Sequence, residues 1–370
     1  MKVAIFGGTF NPPHNTHVKI ARAAAEICDK LIVMPCGIPP HKSCDVDAEV
    51  RLRLARLAFP FACVSNSEIK KQGKSYTVET LREIKEQYPS AQLLLVIGGD
   101  SLRDFDGWYR PDEICRLATL VVAHRSHKTF EKTVEHVKRK YGAQVVFLDV
   151  QPDDVSSTEI RLRCQFGLDN PSLPAEVARY IEQNHLYQKF LPMTQKVKEY
   201  LTDERFRHTF YVVKRGMELA EKQKLSPEDQ DKVFVACLLH DCAKYVPPER
   251  YGDYGFEKPA DMPPPVVHSF LGALVAKRDF GITDEEILSA IAFHTTGCPD
   301  MSVLQKIVYV ADKTEQTRPY PLSHLISGSL DCQLKKCLWE ANGYTQKTQK
   351  KNIYPLSLKT LEFYFPNSVK

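Results

Sequence analysis

The chain has 370 residues, of which 43% are apolar and 26% charged, and its formal net charge is +4. This is the balance of an ordinary globular protein; it excludes disordered and fibrous chains and leaves room for about two domains at roughly 100–200 residues each. A charge this small argues against a dedicated nucleic-acid binder, which carries a concentrated basic stripe, but not against small anionic substrates that need only a local positive site. No run approaches the ~18 apolar residues that span a bilayer. Met1-Lys2-Val3-Ala4-Ile5-Phe6 lacks the apolar core and cleavage site of a signal peptide. The eleven cysteines are irregularly spaced, with no Cys-x-x-Cys pair of zinc-site type. The expectation is a cytoplasmic protein with free thiols, no membrane association and no nucleic-acid partner.

In chain order, Val3–Phe6, Leu31–Met34, Leu93–Ile97, Leu120–Ala123 and Val145–Leu148 are short, almost wholly apolar runs. Such runs fit strands buried on both faces of a parallel sheet. Helical patterns lie between them at Val18–Ile27, Val50–Leu57 and Val78–Ile84. The alternation predicts a doubly wound α/β domain with right-handed crossovers over residues 1–190. After Leu191-Pro192-Met193-Thr194 the strand signals stop, and residues 194–370 are expected to be all-α. Ser226-Pro227-Glu228-Asp229 sets an N-cap serine before a first-turn proline and acidic residues. Thr283 with Glu286 reads as a capping box. The proline-rich stretch Pro247–Pro265 predicts a long loop, ordered or mobile. An amphipathic segment at Leu358–Phe363 either caps the helical domain or packs on a partner. No feature of the sequence specifies an oligomeric state.

Two elements of the first half point to phosphate. Gly7-Gly8-Thr9-Phe10-Asn11-Pro12-Pro13-His14 follows the first strand, and His17 comes three residues after His14. Glycines let a backbone approach a polyphosphate closely, and a following helix offers free N–H groups and a positive dipole end. Histidines at i and i+3 face the same way and can donate to charge developing on a phosphate. Taken alone, the glycines are better explained by a tight strand–helix turn with an incidental histidine pair. The second element is Ser156-Ser157-Thr158-Glu159-Ile160-Arg161, after the last strand. Ser156 and Glu159 form a capping box, presenting Ser157, Thr158 and, one turn on, Arg161. In a parallel sheet both elements lie outside the carboxyl ends of the strands, where ligands bind.

These runs, with Met34-Pro35-Cys36-Gly37-Ile38-Pro39-Pro40-His41-Lys42, Tyr76-Thr77-Val78-Glu79-Thr80-Leu81 and Gly98-Gly99-Asp100-Ser101-Leu102, resemble bacterial nicotinate-nucleotide adenylyltransferase over nearly the whole first half. The related phosphopantetheine adenylyltransferase shares the two histidines but not the Pro-Pro-His-Lys loop. The resemblance implies a Rossmann-like nucleotidyltransferase that joins nicotinate mononucleotide to ATP, giving deamido-NAD and pyrophosphate, with Mg²⁺. It implies that Gly7, Gly8, Thr9 and Phe10 bind ATP, that His14 and His17 contact its phosphates, and that Ser157, Thr158 and Arg161 hold the outer phosphates. Lys42 would reach the polyphosphate from a mobile loop. Asp100 would bind ribose or the pyridine nucleotide, Thr77 and Thr80 would lie near the nicotinate, and Trp108 would stack on the pyridine ring or belong to the core. The family has His-x-Gly-His where this chain has His14-Asn15-Thr16-His17, which sets a β-branched side chain where the family brings backbone close to the adenosine.

In the second half, polar residues sit in register with apolar helix faces. Val233, Ala236, Cys237 and His240 fall at i, i+3, i+4, i+7, with Asp241 next. Ile287, Ala290, Ile291 and His294 repeat that spacing. Leu304, Ile307, Val308 and Ala311 lead to Asp312. His268 heads a stripe of Leu271, Gly272, Val275 and Ala276, and His208 shares a face with Val212 and Leu219. Single histidines of this kind are usually satisfied core residues. Buried carboxylates need partners, and Lys244 and Lys313 are the simplest salt-bridge candidates. Four inward histidines and two inward aspartates together read more economically as a metal centre, and six N/O ligands without thiolate suit two octahedral ions such as iron or manganese.

The order His208, His240-Asp241, His268, His294, Asp312 resembles the HD-domain metal phosphohydrolases. Arg205-Phe206-Arg207-His208-Thr209, Leu239-His240-Asp241-Cys242-Ala243-Lys244, His294-Thr295-Thr296-Gly297 and Tyr309-Val310-Ala311-Asp312-Lys313-Thr314-Glu315 are similar to the symmetrical diadenosine tetraphosphate hydrolases of that superfamily. The resemblance implies that His208, His240, Asp241 and Asp312 bind one ion, that Asp241 bridges to a second held by His268 and His294, and that Lys244 and Arg318 neutralise phosphate oxygens. The products would be two ADP. The whole chain then reads as a bifunctional enzyme acting on ATP, nicotinate mononucleotide and diadenosine tetraphosphate. The alternatives are an HD domain that regulates the first half by binding a nucleotide, or one that hydrolyses a different nucleotide.

Overall fold

A computed structural model of the chain describes residues 1–39, 44–71, 73–124, 130–150, 155–347 and 353–366. Two units separate in it, Met1–Lys189 and Phe190–Lys370. The first is built on six strands: β1 (Lys2–Gly8), β2 (Lys30–Pro35), β3 (Cys63–Val64), β4 (Gln92–Gly98), β5 (Ala118–His124) and β6 (Val145–Asp149). All neighbouring pairs are parallel, in the order β3-β2-β1-β4-β5-β6. Alternate residues of the central strands feed two cores. Ala4, Phe6, Leu94 and Val96 join one with Ile20, Ala24, Leu54 and Ile160 from helices. Val3, Ile5, Leu93 and Leu95 join the other with Val78, Leu81, Val134 and Val137. Helices thus cover both faces, as the apolar runs require. Strand order reverses between β1 and β4, so their carboxyl ends flank the crevice where doubly wound sheets bind ligands.

Two expectations for the sheet fail at its edges. β3 is only two residues long, too short for a periodic signal. At β6, Val146 is 47% exposed. An edge strand has one neighbour and keeps part of its side open, so Val145–Leu148 is not buried on both faces.

The second unit is helical among the described residues, with helices at Leu191–Lys198, Asp203–Lys222, Pro227–Leu239, Pro264–Asp279, Glu285–Phe293, Val303–Thr314, Leu330–Lys347 and Pro355–Tyr364. Ser226 caps its helix by accepting from the Asp229 N–H at 3.1 Å. The Thr283 capping box is corrected: Asp284 is the N-cap, and its carboxylate accepts from the Glu286 and Ile287 N–H groups. An ionised acceptor at the positive helix end outcompetes a hydroxyl one residue earlier. Pro247–Pro265 is ordered, with a 3₁₀ turn at Pro248–Tyr254 and a cluster of Met262 and Val266 with Tyr251, Phe256 and Phe270. The C-terminal amphipathic segment packs on its own unit: Tyr364 Oη accepts from the Met301 N–H at 2.9 Å. No helix among the described residues is long and apolar enough to cross a membrane. All eleven cysteines are free thiols.

Candidate functional site

In the first unit the chain leaves β1 through Gly7 and Gly8. A Cβ on Gly7 or on Gly98, at the end of β4, would meet nothing within 4 Å, so the crevice is open there. A Cβ on Gly8 would come within 2.9 Å of the Phe10 ring, and one on Gly99 within 2.7 Å of Phe130, so packing requires these two glycines. Phe10 turns the chain at φ 50°, a conformation that non-glycine residues rarely adopt. Its ring is buried edge-on against Phe6 and Phe59, leaving only its backbone to the crevice. A separate cavity lined by Lys2, Gln92, Thr119 and Gln144 opens at the opposite, amino-terminal ends of the strands.

His14 is the N-cap of the helix Asn15–Ala25. Its backbone N–H donates to His17 Nδ1 at 3.2 Å, and the two rings lie 3.8 Å apart. Burial, then the neighbouring His14, hold the His17 pKa well below its ordinary value. His17 is therefore neutral, and with Nδ1 accepting, its proton sits on Nε2. Thr16 is buried in that helix with Ile20, Ala21 and Ala24, so packing takes up the extra side chain.

The helix Ser157–Gln165 meets this loop. Ser156 accepts from the Glu159 N–H at 3.2 Å. Ser157 Oγ donates to Pro12 O at 2.9 Å and Arg161 donates to Asn11 O at 2.8 Å. The two elements expected to grip a phosphate are thus brought together. Arg161 Nε also lies 2.8 Å from Asp45 Oδ2, a carboxylate standing where an anion would. Thr158 Oγ1 accepts from Arg161 at 3.4 Å. Lys42 lies outside the described residues.

The residues expected at the pyridine nucleotide lie on the elements that follow β3 and β4, where the Tyr76 and Tyr109 rings meet with centroids 4.9 Å apart. Thr77 opens the helix Thr77–Gln87 and is half-buried. Thr80 is buried and donates to Glu68 Oε1 at 2.5 Å, so its hydroxyl is already used. Burial pushes the Glu68 carboxyl upward. Asp100 stands exposed beyond β4, 2.8 Å from Arg103. Trp108 is half-buried against Phe105, with ring centroids 5.3 Å apart. One residue escaped the sequence reading. Arg51, 2% exposed, donates to Thr9 O at 3.0 Å, Cys36 O at 2.6 Å and Gly37 O at 2.6 Å. It ties the loop after β1 to the loop after β2. Its register with Leu54, Ala55 and Ala58 on one apolar face was the available signal.

In the second unit, five helices deliver six side chains to one place. His208, His240 and Asp312 form one group and Asp241, His268 and His294 another, with ligand atoms within 4.8 Å of one another in each. Asp241 joins them: Oδ2 lies 3.5 Å from His240 Nε2, and Oδ1 lies 3.0 Å from His268 Nε2 and 3.7 Å from His294 Nε2. Asp312 Oδ1 lies 3.2 Å from His208 Nε2 and 3.8 Å from His240 Nε2. An octahedral ion with ligands at about 2.1 Å sets them about 3 Å apart when cis and about 4.2 Å apart when trans. The observed separations fit that range.

His240 and His294 each follow the last turn of a helix and donate Nδ1–H to a carbonyl there, Cys237 O at 2.7 Å and Ile291 O at 2.8 Å. Helix ends leave such carbonyls without helical partners. A ring anchored this way turns Nε2 toward a ligand position; His294 Nε2 also meets Thr295 Oγ1 at 3.2 Å. His208 Nε2, His240 Nε2 and Asp241 Oδ1 are buried and make no hydrogen bond of acceptable geometry. Orphaned buried lone pairs facing carboxylate oxygens call for a cation between them. Burial pushes the His240 pKa down to about 3. For Asp241, burial is outweighed by His240 and by contacts with His268 and His294, which hold the carboxyl well below its usual range. For Asp312, burial is outweighed by Lys313, Arg318 and His208 in the same sense. Both carboxylates are ionised.

Cations rim the centre. Lys244 Nζ is 3.8 Å from Asp241 Oδ1, and Arg318 reaches Asp312 Oδ1 at 2.5 Å. Two further charged neighbours complete the rim. Arg205 lies 3.1 Å from Asp241 Oδ2, and the buried Glu315 lies 3.2 Å from His208 Nδ1. Each is one helical turn from an expected ligand, at i−3 from His208 and i+3 from Asp312, which was the signal.

Residues 5–163 match the cytidylyltransferase-like family model, and residues 205–317 match the HD domain model. A relative from Mycoplasma genitalium, described as a probable nicotinate-nucleotide adenylyltransferase/Ap4A hydrolase, is 31% identical over 326 residues, covering 86% of this chain and 88% of the relative. A probable nicotinate-nucleotide adenylyltransferase from Clostridium tetani is 38% identical over 197 residues, 50% of this chain and 98% of the relative. Among solved structures, a "predicted HD superfamily hydrolase involved in NAD metabolism" from Clostridium acetobutylicum is 29% identical, covers 46% of this chain and 96% of its own, and superposes with a TM-score of 0.42.

Proposed function

The chain belongs to the family of two-part nicotinate-nucleotide adenylyltransferase/Ap4A hydrolases, a nucleotidyltransferase joined to an HD domain, and on that premise we infer that it carries both activities, the first on residues 1–190 and the second on residues 194–370. The adenylyltransferase joins ATP and nicotinate mononucleotide. A phosphate oxygen of the mononucleotide forms the new bond to the α-phosphorus of ATP, the bond to the bridging oxygen breaks, and pyrophosphate leaves. No side chain needs to form a covalent bond, so positioning and charge stabilisation supply the rate. Neutral His17 donates from Nε2, beside His14. Arg161 exchanges the Asp45 carboxylate for a phosphate, with Ser157 and Thr158 at the same helix start. Mg²⁺ accompanies the triphosphate.

The HD domain hydrolyses diadenosine tetraphosphate with one water to two ADP. The observation that carries this reading is the pair of three-residue groups meeting on Asp241, with orphaned Nε2 atoms facing carboxylates and cations at the rim. Two divalent ions, iron or manganese, supply Lewis acidity and an acidified water when bound. His208, His240, Asp241 and Asp312 would hold one ion, and Asp241, His268 and His294 would hold the other. Lys244, Arg205 and Arg318 face the non-bridging phosphate oxygens and offset their charge.

The test is the purified full chain. It should contain close to two transition-metal ions and should form deamido-NAD and pyrophosphate in equal amounts from ATP and nicotinate mononucleotide. A chain that forms deamido-NAD, holds no metal and leaves diadenosine tetraphosphate intact with added Mn²⁺ or Fe²⁺ would make the HD domain a nucleotide-binding regulator instead.

A further inference from the structure

The four histidines of the metal centre are held differently. His240 and His294 rest on backbone carbonyls. His208 turns Nδ1 to Glu315 Oε1 at 3.2 Å. Glu315 is 1% exposed. Its carboxylate accepts from the Thr317 N–H at 2.7 Å and from Thr317 Oγ1 at 2.7 and 2.8 Å. His268 faces a cation instead: Lys244 Nζ lies 3.4 Å from its Nδ1 and 3.3 Å from its Nε2. The surrounding charges reinforce that contrast. Asp312 and Glu315 face Arg318 and Lys313 at the first position. At the second position Lys244 adds a positive charge and, among the described residues, no carboxylate stands there beyond the shared Asp241, which Arg205 also touches.

We propose that the two metal positions are inequivalent: Glu315 makes the His208–His240–Asp312 position the tight, resident one, and Lys244 makes the Asp241–His268–His294 position the exchangeable one. A carboxylate behind a ligating imidazole fixes the ring and raises its basicity. An ammonium beside the ligand atoms repels an incoming cation and must move aside when it enters. Glu315 is thus a positioning residue that acts through His208. The inference rests on the dinuclear reading above.

The experiment titrates the metal-stripped full chain with Mn²⁺, reading free Mn²⁺ by electron paramagnetic resonance. The adenylyltransferase rate of each variant serves as an internal check that the chain is intact. The parent chain should fill in two steps, with one ion surviving dialysis. Glu315→Gln should weaken the tight step about 10–100-fold and leave the second step near its parent value. Glu315→Asp should recover part of that loss. Lys244→Gln should tighten the second step several-fold and leave the first alone. Two ions filling in a single step, or Glu315→Gln shifting both steps equally or neither, would overturn the inference while sparing the dinuclear reading. Saturation of the parent at one ion would overturn both.

Discussion

In the first unit the candidate groups sit at the carboxyl ends of strands, on loops and first helical turns, and several act through backbone atoms. In the second they are side chains on the apolar faces of five helices, buried together. The first arrangement leaves an open crevice whose polar groups have stand-in partners, such as Asp45 on Arg161. The second leaves ionised carboxylates and bare ring nitrogens facing one another, which the protein alone does not satisfy. Substrate completes the first site. On the proposed function metal completes the second, and so a single substitution there should cost more.

The sharpest way to break that comparison is Asp241→Asn, which removes the shared carboxylate. Diadenosine tetraphosphate hydrolysis should fall at least about 1000-fold, roughly 4 kcal/mol, with metal content dropping and adenylyl transfer unchanged. Retention of hydrolysis with both ions lost would refute the metal reading. His17→Ala is the counterpart in the first unit. It removes one positioned donor and should lower adenylyl transfer about 100–1000-fold while hydrolysis continues. Steady-state rates of both reactions on both variants decide whether the sites are independent.

Smaller effects sharpen the contrast. Arg51→Met strips a buried fork from three carbonyls and should cost the first unit about 3 kcal/mol, read as an earlier transition in calorimetry. The second comparison is with pH. At His208 burial lowers the pKa, but Asp312 and Glu315 outweigh it and raise the pKa above its ordinary value. A metal must displace that proton. Metal affinity should therefore fall as pH drops through the raised pKa, up to about tenfold per unit, and recover above it. A pH-independent affinity would show that His208 is no ligand. The smallest effect is Asp45→Asn. Asp45 is half-exposed and screened, so freeing Arg161 should lower the KM for ATP by only about 2–5-fold with kcat unchanged.

Much of this was legible before the fold. Central strands announced themselves because both their faces are buried, whereas β3 is too short to show a period and β6 is half open. Four expected ligands, His240, Asp241, His294 and Asp312, were readable as polar residues at i+7 or i+8 of apolar stripes, while His268 heads its stripe and His208 shares an apolar face. Arg205 and Glu315 carry no sequence signal of their own because charged residues near helix ends are ordinarily solvated; only tertiary packing sets Arg205 against Asp241 and buries Glu315 against His208. What the sequence does not show for Thr80 is its partner: its hydroxyl donates to Glu68 inside the unit. Phe10 divides the same way, its ring in the core and its backbone at the crevice.

On the proposed function, one chain carries a nucleotidyl transfer site and a metal-dependent site that cuts a dinucleoside polyphosphate at its middle. The most direct measurement is product analysis of diadenosine tetraphosphate hydrolysed in ¹⁸O-water by the metal-loaded full chain. ADP is expected as the sole nucleotide product, with the label on the β-phosphorus of one of the two ADP molecules. AMP with ATP, or label at an α-phosphorus, would contradict it.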